Sequence, residues 1–77
     1  MSELNRLRWR CRRGLLELDL ALQRFLEADL ERLSTTERAA LAELLDYPDN
    51  DLWDVLSGRK VCEDERLAPL VRRIRSA

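Results

Sequence analysis

Histidine is absent from this 77-residue chain, and the absence removes whole classes of chemistry. No imidazole can act as a general base near neutral pH. No cysteine–histidine zinc pattern can form, and a serine or cysteine triad built on imidazole is excluded. Glycine and proline occur only twice each, which argues against disordered and collagen-like chains. No apolar run approaches the roughly 20 residues needed to cross a bilayer. Arginines occupy the amino terminus where a secretory signal would carry its apolar region. The expected location is therefore the cytoplasm, where Cys11 and Cys62 read as reduced thiols, one of them a small core hydrophobe.

What is present, 45% hydrophobic and 38% charged residues, suits a small helical protein. A chain of this length makes one domain, residues 1–77, and buries only roughly 60% of the surface it exposes when unfolded. A shallow surface that recognises another protein is easier to build here than a cavity enclosing a large cofactor. The net charge of −1 hides a segregation along the chain. Arg6, Arg8, Arg10, Arg12 and Arg13 face only Glu3 in the first fourteen residues, whereas Asp46 to Glu65 is dominated by acids. Such a dipolar distribution can orient an approaching partner.

Periodicity predicts an all-α fold, a small five-helix bundle. Leu4, Leu7 and Cys11 give a first helix over about 3–13 with its arginines exposed. Gly14 permits a bend, since a glycine within a helix costs about 1 kcal/mol relative to alanine. A second helix follows over about 15–33, with Leu15, Leu18, Leu22, Phe25 and Leu26 on one face and Leu16 and Leu20 well away from it. That broad apolar circumference predicts a central element with several neighbours, and Glu17 on the more open face. Ser34-Thr35-Thr36-Glu37 is a capping box that opens a third helix to about Asp46, with Ala40, Leu41, Leu44 and Leu45 inward. Asp49 or Asn50 caps a short fourth helix ended by Ser57-Gly58. A last helix from about Asp64 buries Leu67, Leu70, Val71 and Ile74, with Pro69 best placed in its first turn.

Chemical motifs are sparse. No pair of the many carboxylates is assigned to proton transfer, and Asp46, Asp49, Asp51 and Asp54 lack the order of a calcium loop, so no catalytic residue and no bound metal is expected. Arg6, Arg10 and Arg13 form one ridge and Arg8 with Arg12 another, a weak phosphate-binding signal. Trp9 can be a core anchor or an exposed contact, with at least partial packing expected. Glu17 has two readings of equal weight. It can bind a partner, or it can sit in the first turn of the second helix, where the helix dipole favours a carboxylate by roughly 0.3 to 1 kcal/mol and Arg13 can pair with it.

The segment Trp9-Arg10-Cys11-Arg12-Arg13-Gly14-Leu15-Leu16-Glu17-Leu18-Asp19 resembles the FAD assembly factors of succinate dehydrogenase, called SdhE in bacteria. The hallmark R-G-x-x-E of that family is matched by Arg13, Gly14 and Glu17. Its wider form is matched by Trp9, Cys11, Arg12, Leu18 and Asp19. The likeness continues through the capped third helix and Asp49-Asn50-Asp51-Leu52-Trp53, although the carboxyl-terminal tail is short and Pro69 departs from the pattern.

The resemblance implies a monomeric five-helix protein, not an enzyme, that binds the flavoprotein subunit of succinate dehydrogenase, and often of fumarate reductase. It promotes covalent attachment of FAD to a histidine of that subunit. The FAD would be carried by the partner, with no cofactor and no membrane contact in this chain. The candidate partner-binding residues are Trp9, Arg12, Arg13, Gly14, Glu17 and Asp19. The competing expectation is an antitoxin-like or nucleic-acid-binding regulator that uses the basic first helix.

Overall fold

Helices account for every regular element among the residues described by the computed structural model, 2–77. Helix α1 spans Glu3–Arg10, α2 Leu16–Asp29, α3 Thr35–Leu44, α4 Asp49–Leu56 and α5 Ala68–Ser76, with a short 3-10 turn at Leu30–Arg32 after α2. The expected all-α bundle of five helices is the observed one. No helix is long and apolar enough to cross a membrane.

Local chemistry explains most of the boundaries. The Ser2 hydroxyl accepts from the Asn5 backbone N–H at 3.2 Å and caps α1. The capping box that opens α3 is complete, with the Ser34 hydroxyl accepting from the Glu37 N–H and the Glu37 carboxylate accepting from the Ser34 N–H. Helix α4 ends at Ser57, and Gly58 turns the chain with φ +88°, a left-handed conformation that glycine adopts without steric cost. A Cβ there would lie 2.8 Å from the Arg75 guanidinium, so the glycine also leaves room for that side chain. Pro69 falls in the first turn of α5, as expected, where its missing N–H has no partner to lose.

Several boundaries differ from expectation for identifiable reasons. Helix α1 stops at Arg10, three residues early, because the N–H groups of Arg13 and Gly14 turn to the Asp19 carboxylate. Leu15 is extended at φ −106° and ψ 114°, and it is 40% exposed rather than buried on the α2 stripe. The residue ahead of α4 is Pro48, with Asp49 already helical, so neither Asp49 nor Asn50 is the cap. Helix α5 begins at Ala68 rather than near Asp64. The Asp64 carbonyl accepts from Leu67 and Ala68, and its carboxylate accepts from the Arg66 N–H, forming a separate turn first.

The buried residues form one contiguous cluster, with Leu22, Phe25, Leu41, Leu44 and Leu52 fully enclosed. Each such side chain contributes about 1.5–3 kcal/mol relative to exposure. Helix α5 packs against α2, α3 and α4, and it shares the core with α2, which buries Leu18, Leu22, Phe25 and Leu26. Helix α2 leaves Leu16 and Leu20 exposed by 75% and 44%, and no element among the described residues covers that face.

Arg73 of α5 joins three elements. Its guanidinium pairs with Glu37 at the start of α3 and with Asp29 at the end of α2, 3.4 Å away, and it lies over the Phe25 ring at 5.9 Å. Glu37 is held below its ordinary pKa chiefly by the bond from the Ser34 backbone N–H, with the Ser34 hydroxyl and Arg73 adding to it against the opposing effect of burial. A depressed carboxylate stabilises the fold above its unfolded pKa, and that stability is lost as pH falls through the folded value. The melting temperature is expected to drop as pH falls below the ordinary value of 4.5. Glu37→Gln should lower it at pH 7 and flatten the acid limb. An acid limb as steep as that of the unsubstituted chain would contradict the assignment.

Candidate functional site

The junction between α1 and α2 is built from both ends. On the main-chain side, the Asp19 carboxylate accepts from the Arg13 N–H at 2.8 Å and the Gly14 N–H at 3.1 Å. These are donors at the entrance to α2, which lacks an ordinary side-chain cap. On the side-chain side, Arg13 turns away from solvent. Its Nε donates to Asp49 Oδ1 at 2.6 Å, Nη1 to the Leu45 carbonyl at 2.7 Å and more weakly to that of Arg10 at 3.4 Å, and Nη2 to the Tyr47 carbonyl at 2.7 Å. Leu45 follows the end of α3, so the guanidinium satisfies carbonyls that a helix end leaves unpaired.

Two sequence expectations change as a result. Arg13 is not part of a ridge with Arg6 and Arg10, because α1 has ended before it. It pairs with Asp49 rather than Glu17. Arg10 in turn reaches the Asp46 carboxylate at 2.5 Å. Of the five amino-terminal arginines, only Arg6, Arg8 and Arg12 have no ion pair or hydrogen bond to an acidic side chain among the described residues.

Gly14 has φ +85° and nothing within 4 Å of the place a Cβ would occupy. The conformation favours glycine, and the space beside it is open. Glu17 lies in the first turn of α2, exposed, with no ion pair among the described residues. Trp9 is 65% exposed and carries the Arg12 guanidinium over its ring at 5.5 Å. Its expected partial packing is thus confined to a surface cation–π contact.

Two clefts border the junction. One, of about 510 Å³, is lined by Arg8, Cys11, Arg12, Gly14, Asp19 and Gln23 among others. The second, of about 270 Å³, is formed by Leu15, Leu16, Glu17, Leu18 and Trp53. Asp49 and Trp53 were missed as members of this site. Their only sequence signal was the Asp49-to-Trp53 segment within the family likeness, since they lie more than thirty residues from the loop they support. No group of three or more acidic, cysteine or histidine side chains able to hold a metal occurs among the described residues.

Fold and site together define a small helical protein that presents a fixed, partly charged loop at its surface. The model of a family described as "Flavinator of succinate dehydrogenase" matches residues 5–77, and the chain belongs to that family. Among its relatives, the FAD assembly factor SdhE of Xylella fastidiosa is 43% identical over 75 residues, covering 97% of this chain and 77% of the relative. That of Idiomarina loihiensis is 39% identical over 72 residues, covering 94% and 80%. That of Ralstonia nicotianae is 46% identical over 71 residues, covering 92% and 75%. These relatives are named as assembly factors, not as catalysts. No solved structure matches the chain with significance.

Cys11 lies beneath the loop, 4% exposed. Burial pushes its thiol up to about 11, against the opposing pull of Arg13 and Arg10. Cys62 is free and only half-buried, its thiol 3.6 Å from the Asp64 carbonyl. The thiolate is the reactive form, so iodoacetamide at neutral pH should give a single adduct, located on Cys62 by mass spectrometry of the folded protein. Modification of Cys11 at a comparable rate would contradict its enclosure.

Proposed function

We propose that this chain binds the flavoprotein subunit of succinate dehydrogenase through the α1–α2 junction and promotes covalent attachment of FAD to that subunit. The flavoprotein subunit of fumarate reductase is a further partner of the same kind. Family membership supports the partner and the process. The observation that carries the site is the exposed, unpaired Glu17 beside an open Gly14 in a loop fixed from within. The chain acts as an assembly factor and not as an enzyme. It works as a monomer in the cytoplasm and carries no cofactor of its own.

Of the six candidate residues, Trp9, Arg12, Gly14 and Glu17 present the docking surface, and Arg13 and Asp19 frame it. Exposed Leu16 and Leu20 extend the surface with apolar area of the kind that marks interaction sites. Docking near the flavin favours a partner conformation in which flavin and the accepting histidine are aligned for self-catalysed bond formation. Alignment of this kind can supply about 7–11 kcal/mol of a barrier, so no group of this chain has to enter the reaction. Its lack of histidine is compatible with that role, because the accepting imidazole belongs to the partner.

The nucleic-acid reading loses support from the same geometry. Arg10 and Arg13 are engaged within the chain, which leaves three amino-terminal arginines for phosphate contact. Binding to DNA is expected to be feeble and without sequence preference in a titration across salt concentrations.

Two substitutions test the docking surface. Glu17→Ala should leave the melting temperature nearly unchanged and reduce flavin that survives denaturing electrophoresis when the flavoprotein subunit is co-expressed. Unchanged flavin fluorescence in the gel would sink the proposal. Gly14→Asn separates conformation from close approach, because asparagine tolerates the left-handed region better than other side chains. Stability should fall by about 1–3 kcal/mol, the cost of a left-handed non-glycine residue, whereas covalent flavin should fall strongly in the chain that remains folded. A variant that supports full flavinylation would show that no partner backbone approaches Gly14.

A further inference from the structure

We infer that Arg13, the arginine of the R-G-x-x-E hallmark, acts as a positioning residue held by Asp49 and does not itself contact the flavoprotein. The inference rests on the docking surface proposed above and assigns a role to a residue outside the hallmark. A guanidinium has five N–H donors. Four of those of Arg13 are directed at Asp49 and at the carbonyls of Arg10, Leu45 and Tyr47. Its side chain is 15% exposed, and the Asp49 carboxylate supplies its counter-charge. A partner carboxylate could engage it only by breaking charge-assisted bonds already formed at 2.6–2.7 Å.

The acceptors explain what the arrangement achieves. Arg10 is the last residue of α1, Leu45 follows α3, Tyr47 lies in the turn beyond, and Asp49 opens α4. One side chain therefore joins three helix ends at the point where the chain leaves α1. The backbone of the same residue, with that of Gly14, is tied to Asp19 in the first turn of α2. Gly14 and Glu17 are thereby presented in one attitude before any partner arrives, so the entropy of ordering the loop is not charged to binding.

The experiment measures affinity of the purified chain for the flavoprotein subunit, together with amide resonances of the free chain. Asp49→Ala is expected to weaken binding about tenfold, the scale of a small misplacement of interacting groups. Arg13→Lys should weaken it to a similar degree, because lysine keeps the charge but cannot serve four acceptors. The double variant should bind no worse than the weaker single one, and both substitutions should shift the amides of Gly14 and Glu17. Ile74→Val, a core truncation in α5, should lower the melting temperature without changing affinity, which separates positioning from general stability.

Unaltered binding by Asp49→Ala, or losses that add in the double variant, would overturn the inference in favour of direct contact. Failure of the unsubstituted chain to bind would instead overturn the docking proposal. The amide shifts would then still decide whether Asp49 and Arg13 set the loop.

Discussion

The Arg13 guanidinium is the constraint on which the arrangement of this protein depends, because it closes a connection that helix packing alone would leave loose. Helices α3 and α4 meet at a turn whose carbonyls have no helical partners, and α1 ends beside them. A buried ammonium could serve only part of that set as a point charge, whereas a planar fork reaches carbonyls and a carboxylate in different directions. With Asp49 supplying the opposite charge, the group is compensated, and no buried side-chain polar atom lacks a partner among the described residues.

The parts of this fold that were legible in the sequence are those governed by near neighbours. The capping box at Ser34 and Glu37, the stop at Gly58, the place of Pro69 and the stripe from Leu18 to Leu26 each depend on residues a few positions apart, and each is found where the pattern puts it. The site was half legible. Its hallmark residues were named, but Arg13 looked like an exposed member of a helical ridge. Its three closest acceptors lie 32 to 36 residues away, and spacing carries no signal over that distance. The same blindness placed Leu15 in the core. Once Asp19 draws the preceding N–H groups to itself, the chain enters α2 extended, and Leu15 turns outward.

Size explains the remaining surface. Helix α5 packs on α2, α3 and α4, and among the described residues no element shields Leu16 and Leu20. In a larger domain another helix would cover them. Here the uncovered side of α2 adjoins Glu17 and the cleft that includes Trp53, so apolar area and unpaired charge fall together at one junction.

The long reach of Arg13 also has a temporal meaning. Helices α1 and α2 emerge first during synthesis, yet the loop between them cannot reach its final shape until α3 has ended and Asp49 has been added. A truncated or partly folded chain therefore holds the hallmark residues in sequence without holding them in place.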